Sequence, residues 1–116
     1  MSQPISGRRA SRSGERRGYV RFPCSQAAFC CAHQPRDYIF WTARARDISA
    51  SGIRLVLGHR FDPGTLLAVE LLSANQGMAR EFAARVLHAT AQSGGGWTIG
   101  CQFADLLSEA ELVALL

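Results

Sequence analysis

The sequence predicts an all-β domain closed by one short helix. Three features carry that expectation. From Phe22 onward the apolar residues come in short runs broken by turn signals, which suits strands rather than helices. Residues 97–103 alternate strictly, with Trp97, Ile99, Cys101 and Phe103 on one side and Thr98, Gly100 and Gln102 on the other. Finally, Ser108-Glu109-Ala110-Glu111 has the spacing of a capping box, in which the hydroxyl and the carboxylate satisfy backbone donors at a helix start.

Residues 1–14 contain Ser, Gly and Arg with one isolated Ile, too little apolar surface to offset their ordering entropy, and are read as a flexible basic arm. The domain proper is assigned to residues 15–116. At that length a chain buries a substantial core without disulfides or metal. Gly18 and Pro23 argue against a helix through residues 15–23, which read as an extended or turning linker. In extended form Arg17 and Arg21 share parity and lie about 13 Å apart at roughly 3.3 Å per residue, so they can grip two ends of one anion.

Six strands follow, near residues 24–33, 38–47, 52–57, 66–73, 80–91 and 97–103. Gln34-Pro35-Arg36-Asp37, Asp62-Pro63-Gly64, Asn75-Gln76-Gly77 and Gly94-Gly95-Gly96 punctuate them. The short spacings predict consecutive antiparallel pairing. Phe82, Ala84 and Val86 oppose Glu81 and Arg85, which places His88 on the parity of the buried face as a core or rim histidine. Leu112, Leu115 and Leu116 give the closing helix an apolar stripe that packs on its own domain, because so short a helix is not stable alone.

Charge is unevenly placed. Residues 1–21 hold six arginines against Glu15, whereas residues 22–116 hold seven arginines against eight carboxylates, so the net +4 comes from the first segment. Every basic residue is arginine, a planar fork suited to phosphate, carboxylate or guanine. Cys24, Cys30, Cys31 and Cys101 lack paired C-x-x-C spacing and sit in apolar runs, so reduced core thiols are expected. On a strand Cys31 and His33 share a side that Cys30 does not, and no metal site is assigned. The absence of an apolar segment behind the arginine-bearing N-terminus, and of any run of membrane-spanning length, predicts a cytoplasmic protein without membrane insertion.

Polar chemistry concentrates in Asp47-Ile48-Ser49-Ala50-Ser51-Gly52, a connection between two strands. One reading is a Ser- or Asx-stabilised turn closed by glycine. The other is a ligand site. Asp47 can accept from paired N–H donors such as a guanine edge, Ser49 and Ser51 can donate to phosphate oxygens, and Gly52 permits close backbone approach or positive φ. No nucleophile and base pair, P-loop or carboxylate pair supports catalysis, so the chain reads as a binding module.

Two motifs coincide in this order: R-x-x-x-R at Arg17 to Arg21, just before the first strand, and D-x-S-x-x-G at Asp47 to Gly52, between the second and third. Together they resemble the signature pair of PilZ domains. The likeness extends from Glu15 to Leu116 and takes in Asp62-Pro63-Gly64-Thr65, the Gly100-Cys101-Gln102-Phe103 strand end and the Ser-x-x-Glu helix start. The resemblance implies a six-stranded antiparallel β-barrel with a short C-terminal helix that binds cyclic di-GMP and no other cofactor. It implies that Arg17 and Arg21 clamp phosphates and guanine, that Asp47, Ser49 and Gly52 form the opposing wall, and that Arg16, just before the motif, joins the site as in members that take a stacked ligand pair. On this view the ligand orders residues 15–23 across the mouth of the barrel and creates a surface for a downstream protein partner. Two other classes remain: a ligand-independent PilZ-like adaptor, and a small barrel that binds nucleic acid through its arm. The net −1 of residues 22–116 speaks against the last, because tracking a phosphate backbone needs a basic groove with exposed aromatics, and Trp41 and Tyr19 are the only candidates.

Overall fold

The computed structural model describes residues 19–32, 39–73 and 79–116. Seven strands and one helix occur among them: β1 (Phe22–Pro23), β2 (Ala27–Ala32), β3 (Trp41–Ile48), β4 (Gly52–Leu57), β5 (Leu66–Leu72), β6 (Ala79–Ala91), β7 (Trp97–Phe103) and α1 (Glu109–Leu115). All pairings are antiparallel. Six strands, in the spatial order β3-β2-β5-β6-β7-β4, close into a barrel through the β3–β4 pairing, and β1 adds a short extension along β3.

The predicted first strand begins late, at Ala27, and a two-residue strand precedes it in the predicted linker. Phe22 and Pro23 pair with Ile48 and Asp47, and Ala27 to Cys30 pair with Arg44 to Trp41, so β1 and β2 run along the same side of β3. Between them Cys24 N–H donates to Arg46 O at 3.0 Å and Ala45 N–H to Gln26 O at 2.9 Å, which keeps the chain tied to β3 through the irregularity. Residue 33 of the predicted first strand and residue 38 of the predicted second lie outside the described residues, as do the turns at 34–37 and 75–77.

Among the six barrel strands consecutive pairing fails once. β4 pairs with β7 and β5 with β2, so β4 and β5 are not neighbours. Loop 58–65 carries the chain over one end of the barrel instead and inserts Phe61, 6% exposed, into the core. Strand lengths and turn residues predict where strands occur. Which edges meet is decided by closure, which removes exposed strand edges.

The barrel interior is filled by the inward residues of alternating strands, among them Cys30, Ile53, Leu55, Val69, Val86 and Ile99. Helix α1 covers the end opposite Phe61. Its capping box forms as expected: Glu111 N–H donates to Ser108 Oγ at 3.1 Å, and Ser108 N–H donates to Glu111 Oε1 at 2.9 Å. Leu115 is 1% exposed, with Leu112 and Leu116 packed against the core. Ser73 Oγ donates to Ala114 O at 3.1 Å and the Gln26 amide donates to Leu115 O, so the helix C-terminus is held by the side chains just after β5 and just before β2. No described helix is long and apolar enough to cross a membrane.

Candidate functional site

Two β-bulges decide what the outer wall of the barrel displays. Along β3, Trp41, Ala43 and Ala45 point inward, and strict alternation would bury Asp47 with them. The register shifts between Ala45 and Asp47, so exposed Arg46 is the extra residue, Ile48 turns into the core and Asp47 turns out. On β6 the register shifts between Val86 and His88. His88 is therefore exposed and Ala89 packs inward, contrary to the parity expectation of a core or rim histidine. A bulge adds one residue and reverses the facing of everything after it, and bulges of this kind re-aim side chains next to functional sites.

The consequence is a transverse row on the outer face. Asp47 on β3 pairs with Arg54 on β4, Arg54 with Gly100 on β7, and Gly100 with His88 on β6. Four adjacent strands thus present carboxylate, guanidinium, bare backbone and imidazole across about 14 Å, three strand spacings. The His88 ring occupies the space beside the glycine: a Cβ at residue 100 would fall 2.1 Å from its Cε1 and 2.4 Å from its Nε2. A pocket of about 150 Å³ opens here, lined by Arg21, Arg54, Leu87, His88 and Gly100 with Ile53 and Cys101 beneath.

Asp47 is the electrostatic centre. Arg21 Nη1 donates to its Oδ1 at 2.8 Å, and Arg54 Nη2 lies 2.8 Å from its Oδ2. The carboxylate is 14% exposed while the arginines are 56% and 40% exposed, so two solvent-facing guanidinium groups are held by one recessed anion. Exposed pairs of this type add little to stability, about 0–1 kcal/mol each. Their effect is positional: they fix two planar donors beside an open pocket.

The loop after Asp47 is built from its own hydroxyls. Ser49 is 1% and Ser51 6% exposed. Ser49 Oγ accepts from the N–H of Ser51 and of Gly52, both at 3.2 Å, and lies 3.2 Å from Ser51 Oγ, while Ser49 N–H donates to Gly52 O at 2.9 Å. The hydroxyls expected to reach phosphate oxygens are thus turned into the turn. Gly52 meets a need for close approach, not positive φ: a Cβ there would fall 2.3 Å from the Cys101 carbonyl oxygen.

Of the six residues singled out from sequence, Arg21 and Asp47 meet on the outer face, and Ser49 and Gly52 shape the turn beneath them. Arg16 and Arg17 lie outside the described residues. Arg54, Gly100 and His88 were missed. Arg54 was legible as the residue opposing Asp47 once the hairpin was drawn, whereas His88 was hidden by its bulge. Phe22 and Pro23, placed by sequence in a segment that a ligand would order, are already paired with β3.

Burial pushes the Cys30 and Cys101 thiols up to about 12, and burial with the Asp47 charge also raises Cys24. Cys24, Cys30 and Cys101 form no disulfide. Among the described residues no group of three or more His, Cys, Asp or Glu is placed to hold a metal ion, and His33 lies outside them.

The sequence matches the family model described as PilZ domain over residues 15–116. No curated protein matches it. Among solved structures, the chain is similar to the Bacillus subtilis inhibitor of motility MotI/DgrA, with 20% identity and a TM-score of 0.64 over 86% of this chain and 47% of that one. It therefore spans about half the length of that protein. It is also similar to the PilZ domain with c-di-GMP of YcgR from Escherichia coli, at 16% identity and a TM-score of 0.61, covering 85% of this chain and 86% of that one.

Proposed function

This chain belongs to the PilZ domain family, and from that premise we propose that it is a cyclic di-GMP-binding sensor and adaptor domain, non-catalytic, whose ligand draws the N-terminal arginines onto the barrel and creates a surface for a downstream protein. A cytoplasmic location accompanies this reading, which involves neither nucleic acid nor membrane insertion. The observation that carries it is the convergence of Arg21, Asp47 and Arg54 beside the pocket at Gly100 and His88.

The chemistry suits a guanine dinucleotide. Arginine gives bidentate bonds to guanine O6 and N7, worth about 1–3 kcal/mol each, and pairs equally with phosphate. A carboxylate accepts from the guanine N1–H and N2–H that arginine cannot serve. Asp47 already holds Arg21 and Arg54, so the ligand exchanges one set of charge-assisted bonds for another and no buried charge has to be exposed. The 150 Å³ pocket is smaller than the roughly 300–1,000 Å³ that encloses a small molecule, so it serves as a floor. Arg16 and Arg17, four or five residues before Arg21, are placed in sequence to supply the cover. Because β1 is already in the sheet, closure pivots before Phe22. Ordering a few arm residues costs roughly 1–2 kcal/mol each, against about 1.5–3 for each charged contact, which leaves a dissociation constant on the order of micromolar.

A second reading, a ligand-independent adaptor, is favoured by one observation: both Asp47 oxygens and the Ser49 hydroxyl are satisfied within the protein. Calorimetric titration of the full chain with cyclic di-GMP separates the two. Saturable binding near micromolar, weakened at least tenfold in Arg21→Ala, Asp47→Ala and Arg54→Ala with melting temperature retained, supports the sensor. Arg8→Ala is expected to change little, since its attraction is long-range and screened. Absence of binding heat in the parent leaves the adaptor.

A further inference from the structure

Strand β6 runs on past one of its partners. Its pairing with β5 spans Ala79 to Arg85, whereas its pairing with β7 continues to Ala91. Val86 is the last residue bonded on the β5 side, its N–H donating to Thr65 O at 2.9 Å and its carbonyl accepting from Gly64 N–H at 2.7 Å. Beyond the bulge, among the described residues, nothing pairs with His88 to Ala91 on that side. The barrel is closed, but this overhang leaves a four-residue edge.

Natural edges are guarded by charge, proline or cover. Between Arg85 and Asp105 the chain has no Asp, Glu, Lys, Arg or Pro. Exposed Leu87, and exposed Leu66 opposite Arg85 on β5, add apolar surface near the edge. An uncharged, proline-free overhang is fit for pairing with another strand.

We propose that a second copy of this chain docks here, the two β6 overhangs pairing antiparallel about a twofold axis. An antiparallel edge is its own complement, so one four-residue stretch serves both sides of an isologous contact. The overhang's own residues bear no formal charge, so pairing two copies sets no like charges of the overhang strands against each other. The neighbouring site supplies the third argument. His88 is both the last member of the row from Asp47 and the first residue of the edge, so pairing sets the second copy's overhang directly beside the end of the row. Each pocket then has the other copy as a wall beside His88. For this linkage alone the inference rests on the cyclic di-GMP reading: a ligand that contacts the wall tightens the dimer, and the dimer tightens the ligand by the same factor. Four residues a side make a small contact, so the dimer is weak and concentration-dependent without ligand.

Sedimentation equilibrium of the full chain, with and without cyclic di-GMP, tests this together with Thr90→Lys and Thr90→Glu. Thr90 is exposed and next to the midpoint of the edge, so in any register that uses all four residues the two copies of position 90 lie near the axis. Like charges facing across strands repel. Each variant alone is therefore monomeric, while an equimolar mixture of the two dimerises again. Thermal melting establishes that both remain folded. Cyclic di-GMP lowers the dimer dissociation constant of the parent at least threefold. A parent that stays monomeric at every concentration with and without ligand overturns the proposal, including the case in which a different protein's strand occupies the edge. So does a Lys variant that self-associates like the parent, which places the contact elsewhere. Dimerisation through position 90 without any cyclic di-GMP binding upholds the edge and sinks the ligand reading; binding to a permanent monomer does the reverse.

Discussion

His88 fills the space that a side chain at Gly100 would take, directly opposite it on the neighbouring strand. The ring can rest there because β6 is bulged and because residue 100 has no Cβ. Both conditions are local, and each can be removed separately.

Gly100→Ala forces the ring off its seat, since the new methyl would lie 2.1 Å from Cε1. The ring is exposed and free to swing, so the fold tolerates the change, with melting expected within a few degrees of the parent. The pocket between His88 and Arg54 is rearranged. Cyclic di-GMP affinity is expected to fall about tenfold in Gly100→Ala and by a similar factor in His88→Ala, read by calorimetry. Parent-like affinity in both variants would remove His88 from the site.

Gly52→Ala behaves in the opposite way. Its clash, 2.3 Å, is with the backbone carbonyl of Cys101 in the β4–β7 ladder, which cannot swing aside. Overpacking of this kind costs roughly 1–3 kcal/mol. Denaturant unfolding is expected to show that loss, while Gly58→Ala, with nothing within 4 Å of the new methyl, is near neutral.

The buried thiols are expected to be inert. With Cys30 and Cys101 pushed up to about 12 by burial, the thiolate fraction at pH 8 is negligible. Iodoacetamide added to native protein leaves both unmodified by mass spectrometry, and modification appears on unfolding. Rapid native alkylation of either would contradict the assigned burial.

Stability at acid pH includes a contribution from the helix cap. The Ser108 backbone N–H and hydroxyl hold the Glu111 carboxyl below its ordinary 4.5. A group depressed on folding contributes stability that is complete above its unfolded value and is lost as pH falls through its folded value. Melting temperature against pH is therefore expected to drop less below pH 4.5 in Glu111→Gln than in the parent. Ser108→Ala lowers stability at neutral pH by about 0.5–2 kcal/mol, the usual worth of an N-cap.

The hairpin residues, the capping box and the alternation of Trp97 to Phe103 were legible in the sequence because each is a local rule: a turn needs glycine or proline, a helix start needs acceptors, and a half-buried strand alternates. The same locality exposed Asp47, Ser49 and Gly52 as a polar turn and Arg21 as a nearby cation. It offered both a Ser-stabilised turn and a ligand site for these hydroxyls, and the structure bears out the turn, with Ser49 Oγ accepting from Ser51 and Gly52 N–H.

Tertiary structure alone decided the rest. A bulge arises where two strands must keep register around a closed barrel, and it reverses facing for every residue beyond it, so the outward facing of Asp47 and His88 is a property of strand pairs and not of either strand. The same holds for the row they terminate. Asp47, Arg54, Gly100 and His88 become neighbours only because β4 pairs with β7 instead of β5, a choice made by barrel closure between residues such as Arg54 and Gly100 that lie far apart in the chain.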